Sequence, residues 1–219
     1  MTTAIDTKER LLAAGMEVFA ERGFADAGVR EICALAGANP AAVNYHFGDK
    51  KRFYAEVLAT SHLRAVHRQP MPRLSEAPDE PGTVLAAWAH WFLSMLLHEG
   101  TGPLGKLMSR EMADPTEALD EVIRRSFAPL YQELSGIVGA LAPGLPPRRL
   151  HLHVRSVLGQ CLFYKHGQHA IRRLRNHLPG SADGAEVPVL EELAQHIADV
   201  SCAGLAAELR RRAASGDEP

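Results

Sequence analysis

Apolar residues recur every three or four positions along most of the chain, which is the spacing of one face of an α-helix. In the first such segment, from Asp6 to Arg22, Leu11 and Phe19 share one face while the charged residues lie largely on another. No segment alternates apolar and polar residues for long enough to indicate a strand. The pattern therefore predicts an all-α protein.

Residues that begin and end helices divide the N-terminal region sharply. Gly23 and Gly37 can adopt the left-handed conformation that often ends a helix. Asn39 can accept hydrogen bonds from the first amides of a helix that starts at Pro40, and Asp49 can do the same for the next helix. The helices predicted here span 6–22, 28–36, 40–46 and 50–68.

Four prolines between residues 69 and 83 separate this region from the rest of the chain. We therefore predict an N-terminal domain of residues 1–68, a connection of residues 69–83 and a C-terminal helical domain of residues 84–214. Pro129 should kink a long C-terminal helix, and residues 180–187 should form a loop. The helices predicted in the second domain span 84–98, 104–113, 116–141, 147–166, 168–178 and 189–212.

The second and third helices, joined by a short turn that contains Gly37, have the arrangement of a helix-turn-helix that places one helix in the major groove of DNA. Small alanines would let the third helix approach base edges, an asparagine can pair with adenine, and basic residues can contact phosphates. Alternatively, the alanines are simply good helix formers and Tyr45 belongs to the core. The candidate DNA contacts are Arg30, Ala41, Ala42, Asn44, Tyr45, His46 and Lys50.

The segment from Leu11 to Tyr54, with its run from Gly37 to Lys50, resembles the DNA-binding region of the TetR family of bacterial repressors. The segments 110–116 and 156–164 resemble the CecR-like branch of that family. The resemblance implies a homodimer, a palindromic double-stranded DNA operator and a C-terminal domain for dimerisation and effector binding. By position, the resemblance implies that all of the candidates named above except Ala41 contact DNA. Gly28 departs from the family pattern, because Thr or Ser usually caps this helix and contacts phosphate there.

Large aromatic and methionine side chains are concentrated in the C-terminal domain, where they could line a cavity for a small apolar or aromatic effector. Arg110, Glu111, His98 and Gln160 could orient it. The alternative is an ordinary core. The candidate lining residues are Trp88, Trp91, Phe92, Met95, Met108, Met112, Phe127, Tyr131 and Tyr164.

Apolar stripes on the last two long helices predict a four-helix interface between two copies of the chain. Leu158 represents the first stripe, and Leu193, Ile197 and Val200 represent the second. Alternatively, both stripes face their own subunit.

The composition narrows the class of protein. The chain has 219 residues, 46% of them hydrophobic, and a net charge of -2, so we expect a folded, cytoplasmic protein whose DNA binding comes from a local patch. No apolar run is long enough to predict a membrane span. Three separated cysteines, and only His166 with His169 at near-helical ligand spacing, predict neither a disulfide scaffold nor a metal site.

No nucleophile motif or paired carboxylates stand out, so we expect neither an enzyme nor a cofactor. The predicted function is therefore a ligand-responsive repressor, released from DNA by its effector. A redox or metal sensor, and an enzyme on a TetR-like scaffold, are the alternatives.

Overall fold

A computed structural model describes residues 6–68, 70–77, 80–99, 102–175, 177 and 189–215. The regular elements of this part of the chain are all helical, which confirms the predicted fold class. The helices are α1 (Thr7–Asp26), α2 (Val29–Leu35), α3 (Ala41–Phe47), α4 (Lys50–His67), α5 (Pro81–Glu99), α6 (Pro103–Ala113), α7 (Ala118–Val122), α8 (Ala128–Leu141), α9 (Pro147–Arg175) and α10 (Leu190–Ser215).

The contacts divide the chain into two compact units. The first unit contains the described residues of 1–68 and 99–129, and the second contains those of 69–98 and 130–219. Helices α6 and α7 therefore pack with the N-terminal helices, although they follow α5 in the chain. The domain limits predicted from the prolines (1–68, 69–83 and 84–214) assign α6 and α7 to the C-terminal domain. These limits stay a prediction.

The core of the first unit is built from α1 to α4 together with α6 and α7. Leu11, Phe19 and Phe53 are fully buried, and Leu107 of α6 joins the same cluster. Gly15 lies where α1 approaches α4 closely, because a Cβ atom at this position would stand 2.8 Å from Cζ of Phe53. The predicted apolar face of the first helix is thus the face that packs against α4.

The predicted helix boundaries around the turn are largely observed. Gly23 interrupts the helical geometry of α1 with φ of 77°, but the helix resumes and reaches Asp26. Asn39 Oδ1 accepts a hydrogen bond from the Ala41 amide at 2.9 Å, and Asp49 Oδ1 accepts one from the Arg52 amide at 2.8 Å. Both predicted capping roles are confirmed.

A single turn of π-helix, Ile123–Phe127, joins α7 to α8. The Ala128 amide donates to the Ile123 carbonyl, five residues back, just before Pro129. Proline has no amide hydrogen, so position 129 cannot donate the usual helical hydrogen bond to the Arg125 carbonyl. The wider π-helical turn lies beside this missing hydrogen bond. A π-helical turn therefore immediately precedes the position at which the kink was predicted, and the kink itself stays a prediction.

The second unit contains α5, most of α8, α9 and α10. Helix α9 is one continuous helix of 29 residues, so the break predicted near Gly167 is wrong. A lone glycine lowers helix stability by only about 1 kcal/mol, which packing can offset. Trp88, Ile137 and Val154 are fully buried and form part of the core of this unit.

Candidate nucleic-acid interface and C-terminal site

Helix α3 has one anchored face and one outward face. Val43 and Phe47 are buried in the first unit, whereas Asn44 and Ala41 are exposed. Tyr45 is 85% exposed, which excludes the alternative that it belongs to the core. The outward face therefore carries a small side chain, an amide and a phenol, as the sequence predicted.

The other candidate DNA contacts on α2 and α3 differ in their exposure. Ala42 is half-buried and packs against the core of the first unit, so only part of it faces outward. His46 is also half-buried, and its ring contacts that of Tyr45 with centroids 4.9 Å apart. Arg30 is exposed on α2. Gly28 caps α2 without a side-chain hydrogen bond, as expected from its lack of a side chain.

Lys50 braces the unit internally. Its Nζ donates to the Ala25 carbonyl at 3.0 Å and lies 4.9 Å from the centroid of the Phe24 ring. Its predicted contact with phosphate would therefore compete with these interactions. Lys51 and Arg52, which follow it in the first turn of α4, are exposed and provide further positive charge.

Arg10, for which the sequence predicts no role, reaches the turn of the helix-turn-helix. Its Nη1 donates to the carbonyl of Gly37 at 3.5 Å, and its Nη2 donates to Thr7 Oγ1 at 3.3 Å. Gly37 has φ of 59°, so the turn depends on a residue that adopts the left-handed conformation readily. Because this contact spans 27 residues of sequence, helical periodicity could not reveal it.

Arg110 and Glu111, predicted to orient an effector, have partners within the first unit. Arg110 donates to carbonyl groups of α1, including that of Ala20 at 3.0 Å. The Glu111 carboxylate accepts hydrogen bonds from Tyr54 and Thr116. Their hydrogen-bonding groups are thus engaged within the first unit, and their role in orienting an effector stays a prediction.

The aromatic residues of α5 form a buried cluster in the second unit. Trp88 is fully buried and stacks on Phe92 with ring centroids 4.9 Å apart, and Trp91 packs beside them. Trp88 Nε1 has no hydrogen-bond partner among the described residues. A buried N–H group usually has a partner, so this donor is a candidate for binding an acceptor atom of a ligand. Met95 of the same helix is half-buried.

Two tyrosines predicted to line the cavity also belong to the second unit. The hydroxyl of Tyr131 is hydrogen-bonded to His151 Nδ1 at 2.9 Å, and the two rings stack. Tyr164 is half-buried and lines an open groove of about 530 Å³ with Leu193 and His196.

The remaining lining candidates belong to the first unit. Met108 is buried in its core, and Met112 is 58% exposed. Phe127 contacts the ring of His62 with centroids 4.9 Å apart. Gln160 is half-buried in the second unit, and the side chain of His98 lies outside the described part of the chain. The lining set remains a prediction, and its members are divided between the two units.

The residues predicted at the dimer interface have different surroundings. Leu193 and Ile197 are buried within their own unit, Ile197 completely, so the alternative prediction applies to these two. Leu158 is half-buried, whereas Val200 is 47% exposed. Helix α9 also exposes apolar residues outside the predicted interface set, of which Phe163 is the most exposed at 58%.

The three thiols are unsuited to rapid oxidation. Cys33 and Cys161 are buried, and burial raises the pKa of both, that of Cys161 to about 12. Burial, followed by the charge of Asp199, raises the pKa of Cys202. Since the thiolate is the reactive form, these shifts disfavour the redox-sensor alternative.

The described residues contain no group of three or more side chains that could hold a metal ion. His166 is exposed, and the side chain of His169 lies outside the described part of the chain. None of the described helices combines the length and apolar character needed to cross a lipid bilayer.

Together, the helix-turn-helix and the attached helical unit define an all-α DNA-binding protein. Residues 11–57 match the family described as bacterial regulatory proteins, tetR family, and residues 81–205 match the C-terminal domain of the HTH-type transcriptional dual regulator CecR. The chain belongs to the TetR family, in the CecR-like branch, and is a transcriptional regulator.

Individual relatives agree with this assignment. The chain is 31% identical over 178 residues to CecR of Shigella flexneri, covering 75% of this chain and 78% of that protein. It is 28% identical over 138 residues to the transcriptional repressor NemR of Escherichia coli K12, covering 60% and 69%. A crystal structure of a linker mutant of HlyIIR has a TM-score of 0.61 at 18% identity, covering 88% and 97%, which supports the fold.

Proposed function

We propose that this regulator binds an inverted-repeat operator as a homodimer, represses transcription there, and is released by a small apolar or aromatic effector. The observation that carries the proposal is the outward face of α3. Ala41, Asn44 and Tyr45 are exposed, while Val43 and Phe47 anchor the same short helix in the core. A short helix held in this way can enter a major groove with its polar face toward the bases.

The candidate residues divide into base and phosphate contacts. The Asn44 amide can bond both N6 and N7 of adenine, and the Ala41 methyl group can contact a thymine methyl. The Tyr45 hydroxyl and the charges of Arg30 and Lys51 suit phosphates. The His46 imidazole and the charges of Lys50 and Arg52 are further candidates for phosphate contact. Phosphate contacts would supply salt-dependent affinity, and Asn44 would supply part of the specificity.

Exposed apolar side chains on α9 and α10 support the homodimer. Phe163 and Val200 lie on the two helices whose apolar stripes predict the interface, and each exposes much of its side chain. A second copy of the chain would remove this apolar surface from water. A symmetric dimer would present two α3 helices to half-sites about 34 Å apart, one turn of DNA.

The buried aromatic cluster of α5 supports the proposal that the effector is apolar or aromatic. Trp88, Trp91 and Phe92 provide apolar surface, and the unpartnered Trp88 Nε1 provides one donor. We therefore propose an effector with an apolar or aromatic body and one hydrogen-bond acceptor. It would release DNA if it bound the DNA-incompetent conformation more tightly, and a 100-fold preference corresponds to about 2.7 kcal/mol.

Selection of duplexes from a random DNA pool by the purified protein tests the DNA-binding part. We expect an enriched inverted repeat that is lost in the double variant Asn44→Ala, Tyr45→Ala, whose exposed positions should leave the fold intact. Gln132→Ala, an exposed substitution on α8, serves as the matched control and should enrich the same repeat. No enrichment by any form, with protein shown by mass spectrometry to be ligand-free, would refute the proposal.

The direction of regulation needs a separate measurement, because CecR is named a dual regulator and NemR a repressor. The selected repeat is placed over a promoter that drives a reporter gene. We expect expression to fall when the wild-type protein is present and to recover with the Asn44→Ala, Tyr45→Ala variant. Increased expression with the wild-type protein would contradict repression.

A further inference from the structure

The start of α1 lies beside the helix-turn-helix. Asp6 caps α1, because its Oδ1 accepts a hydrogen bond from the Lys8 amide at 3.4 Å, and the helix begins at Thr7. Helix α1 also contacts α3. Its first two turns carry two basic side chains, those of Lys8 and Arg10, and each of them contacts a residue of the helix-turn-helix.

The turn between α2 and α3 closes with a pattern typical of helix C-termini. The Ala38 amide donates to the Cys33 carbonyl at 2.9 Å, and the Gly37 amide donates to the Ala34 carbonyl at 3.2 Å. With Gly37 at φ of 59°, these two bonds form a Schellman motif. The amides of the turn therefore bind α2 itself, whereas the Gly37 carbonyl belongs to the part of the turn that leads into α3.

Arg10 binds this carbonyl from outside the helix-turn-helix. Its Nη1 donates to the Gly37 carbonyl at 3.5 Å, and its Nη2 donates to Thr7 Oγ1 at 3.3 Å, so two donors of one planar group are held at once. The lack of a side chain at Gly37 leaves room for this contact, because an added Cβ would lie 3.3 Å from Nη1. Gly37 thus serves both the left-handed conformation of the turn and the approach of Arg10.

Lys8 contacts the other end of α3. Its Nζ lies 5.8 Å from the centroid of the Phe47 ring, which is a cation–π distance, and 3.9 Å from Oε1 of Glu56 on α4. One short stretch of α1 therefore reaches the turn before α3 through Arg10 and the last residue of α3 through Lys8.

The buried residues of α3 do not fix its orientation by themselves. Val43 and Phe47 are four positions apart, so they lie one above the other on the same face of the helix. Contacts along one line allow a short helix to rock about that line. Helices α2 and α4 also pack against α3, and the contact of Arg10 adds a restraint at the point where α3 begins. Recognition contacts need to be held within about 0.5 Å of their productive positions, so small rotations matter.

We infer that Arg10 is a positioning residue for DNA recognition, which orients α3 by holding the carbonyl of Gly37. This inference rests on the proposed function. Arg10 acts through the turn and not by touching DNA, although its side chain is exposed. Loss of the contact should therefore weaken binding that depends on base contacts by Asn44 more than binding that depends on phosphate contacts alone.

The affinity of Arg10→Ala for two duplexes tests the inference by fluorescence anisotropy. One duplex carries the inverted repeat selected from the random pool, and the other has the same length and composition in scrambled order. We expect the affinity for the repeat to fall about fivefold, as for the loss of one exposed hydrogen bond. The affinity for the scrambled duplex should change by less than about twofold, and the slope of log K against log salt concentration should stay that of the wild type.

Two further variants separate the contact with Gly37 from other effects. Arg64→Ala is the matched control, because Arg64 is an exposed arginine whose Nη2 binds Oε2 of Glu9 at 2.6 Å and so joins α4 to the same part of α1. It should keep the wild-type preference for the repeat. Thr7→Val removes the acceptor that orients Nη2 of Arg10 but keeps the charge. It should lower the preference for the repeat by about twofold.

The outcomes distinguish the inference from the proposed function. A wild-type protein that binds both duplexes equally refutes the proposed function, and the inference falls with it. If the wild type prefers the repeat, equal losses of Arg10→Ala on both duplexes with a salt slope lowered by about 1 would make Arg10 a phosphate contact and overturn the inference alone.

A wild-type preference in Arg10→Ala, or a preference lost as strongly in Arg64→Ala, would also overturn the inference alone. If Arg10→Ala does not fold, Thr7→Val decides, because valine has nearly the volume of threonine and Arg10 remains in place. A Thr7→Val protein with the full wild-type preference would then refute the positioning role.

Discussion

Arg149 and Glu208 form a bidentate salt bridge that joins α9 to α10. Arg149 donates from Nε to Oε1 of Glu208 at 2.8 Å and from Nη2 to Oε2 at 2.5 Å. Arg211 adds a bond to Oε2 at 3.0 Å. The hydrogen bonds from Arg149 and then Arg211 lower the pKa of the Glu208 carboxyl to about 2.

This pair predicts a specific pH dependence. The folded-state pKa of Glu208 lies below its ordinary value of 4.5, so its stabilisation is complete above pH 4.5 and is lost as the pH falls toward 2. Glu208→Gln should therefore lower the urea midpoint at pH 7, and its difference from wild type should shrink as the pH falls below 4.5. Circular dichroism can follow this to the lowest pH at which both remain folded. Glu192→Gln, at an exposed position on the same helix, is the control. A difference that stays constant with pH would contradict the assignment.

Charge substitutions on α9 and α10 can distinguish residues of the dimer interface from residues of the core. Phe163→Glu places a carboxylate at an exposed apolar position, so we expect a folded monomer by light scattering with wild-type helicity. Ile197→Glu buries an unpaired charge and should unfold the chain instead, because Ile197 has no exposed surface. A dimer that persists in Phe163→Glu, and also with Val200→Glu added, would place the interface elsewhere.

Residues at the start of α4 and on α3 should differ in how they affect DNA binding. Lys51→Ala should weaken binding to all sequences alike and reduce the slope of log K against log salt concentration by about 1. Asn44→Ala should cost about 1–3 kcal/mol on the selected operator and relax the preference at one base position. Fluorescence anisotropy with the operator and with single-base variants measures both. Equal losses on all duplexes for Asn44→Ala would remove its role in base recognition.

Lys50 should behave differently from Lys51. Because its ammonium group binds the Ala25 carbonyl, Lys50→Ala should lower the thermal midpoint as well as the DNA affinity. Lys51→Ala should leave the midpoint unchanged, since the ion pair of Lys51 with Glu117 is exposed on both sides. Thermal unfolding of the two variants without DNA compares them directly. Equal midpoints would mean that the contact with Ala25 contributes nothing to stability.

The features that sequence alone could predict are local ones. Asn39 and Asp49 cap helices through atoms two or three residues away, so their roles follow from residue type and position. Periodicity likewise places Val43 and Phe47 on the buried face of α3 and leaves Asn44 outside. The outward face of α3 was predictable because a short helix has only one way to bury its apolar pair.

The features that sequence could not predict depend on contacts between distant segments. Nothing within residues 103–122 shows that Glu111 will bind Tyr54, which lies 57 positions earlier. Leu193 and Val200 both occur in the apolar stripe of α10, yet the first is buried in its own unit and the second is exposed. Periodicity identifies a face, but packing against α9 decides which part of the face remains available to a partner.

Two glycines in helices should respond to alanine in opposite ways. Gly136 is exposed on α8, and no described atom would lie within 4 Å of an added Cβ. Alanine there should stabilise the protein by about 0.5–1 kcal/mol through higher helix propensity. At Gly15 alanine would bring the same gain in helix propensity, but its Cβ would overlap with buried side chains. This Cβ would lie 2.8 Å from Cζ of Phe53 and 2.9 Å from Cγ2 of Val57.

Phe53 and Val57 are fully buried, so neither side chain can move aside freely. Overpacking of this kind costs about 1–3 kcal/mol, which exceeds the propensity gain, so Gly15→Ala should be destabilising by about 1–2 kcal/mol. Urea unfolding of the two single variants measures both effects. The contact joins α1 to α4, so the overlap should also separate the two helices that bracket α2 and α3 in the chain. Gly15→Ala should therefore weaken operator binding, whereas Gly136→Ala should not. A Gly15→Ala protein as stable as wild type would show that α1 and α4 can move apart without cost.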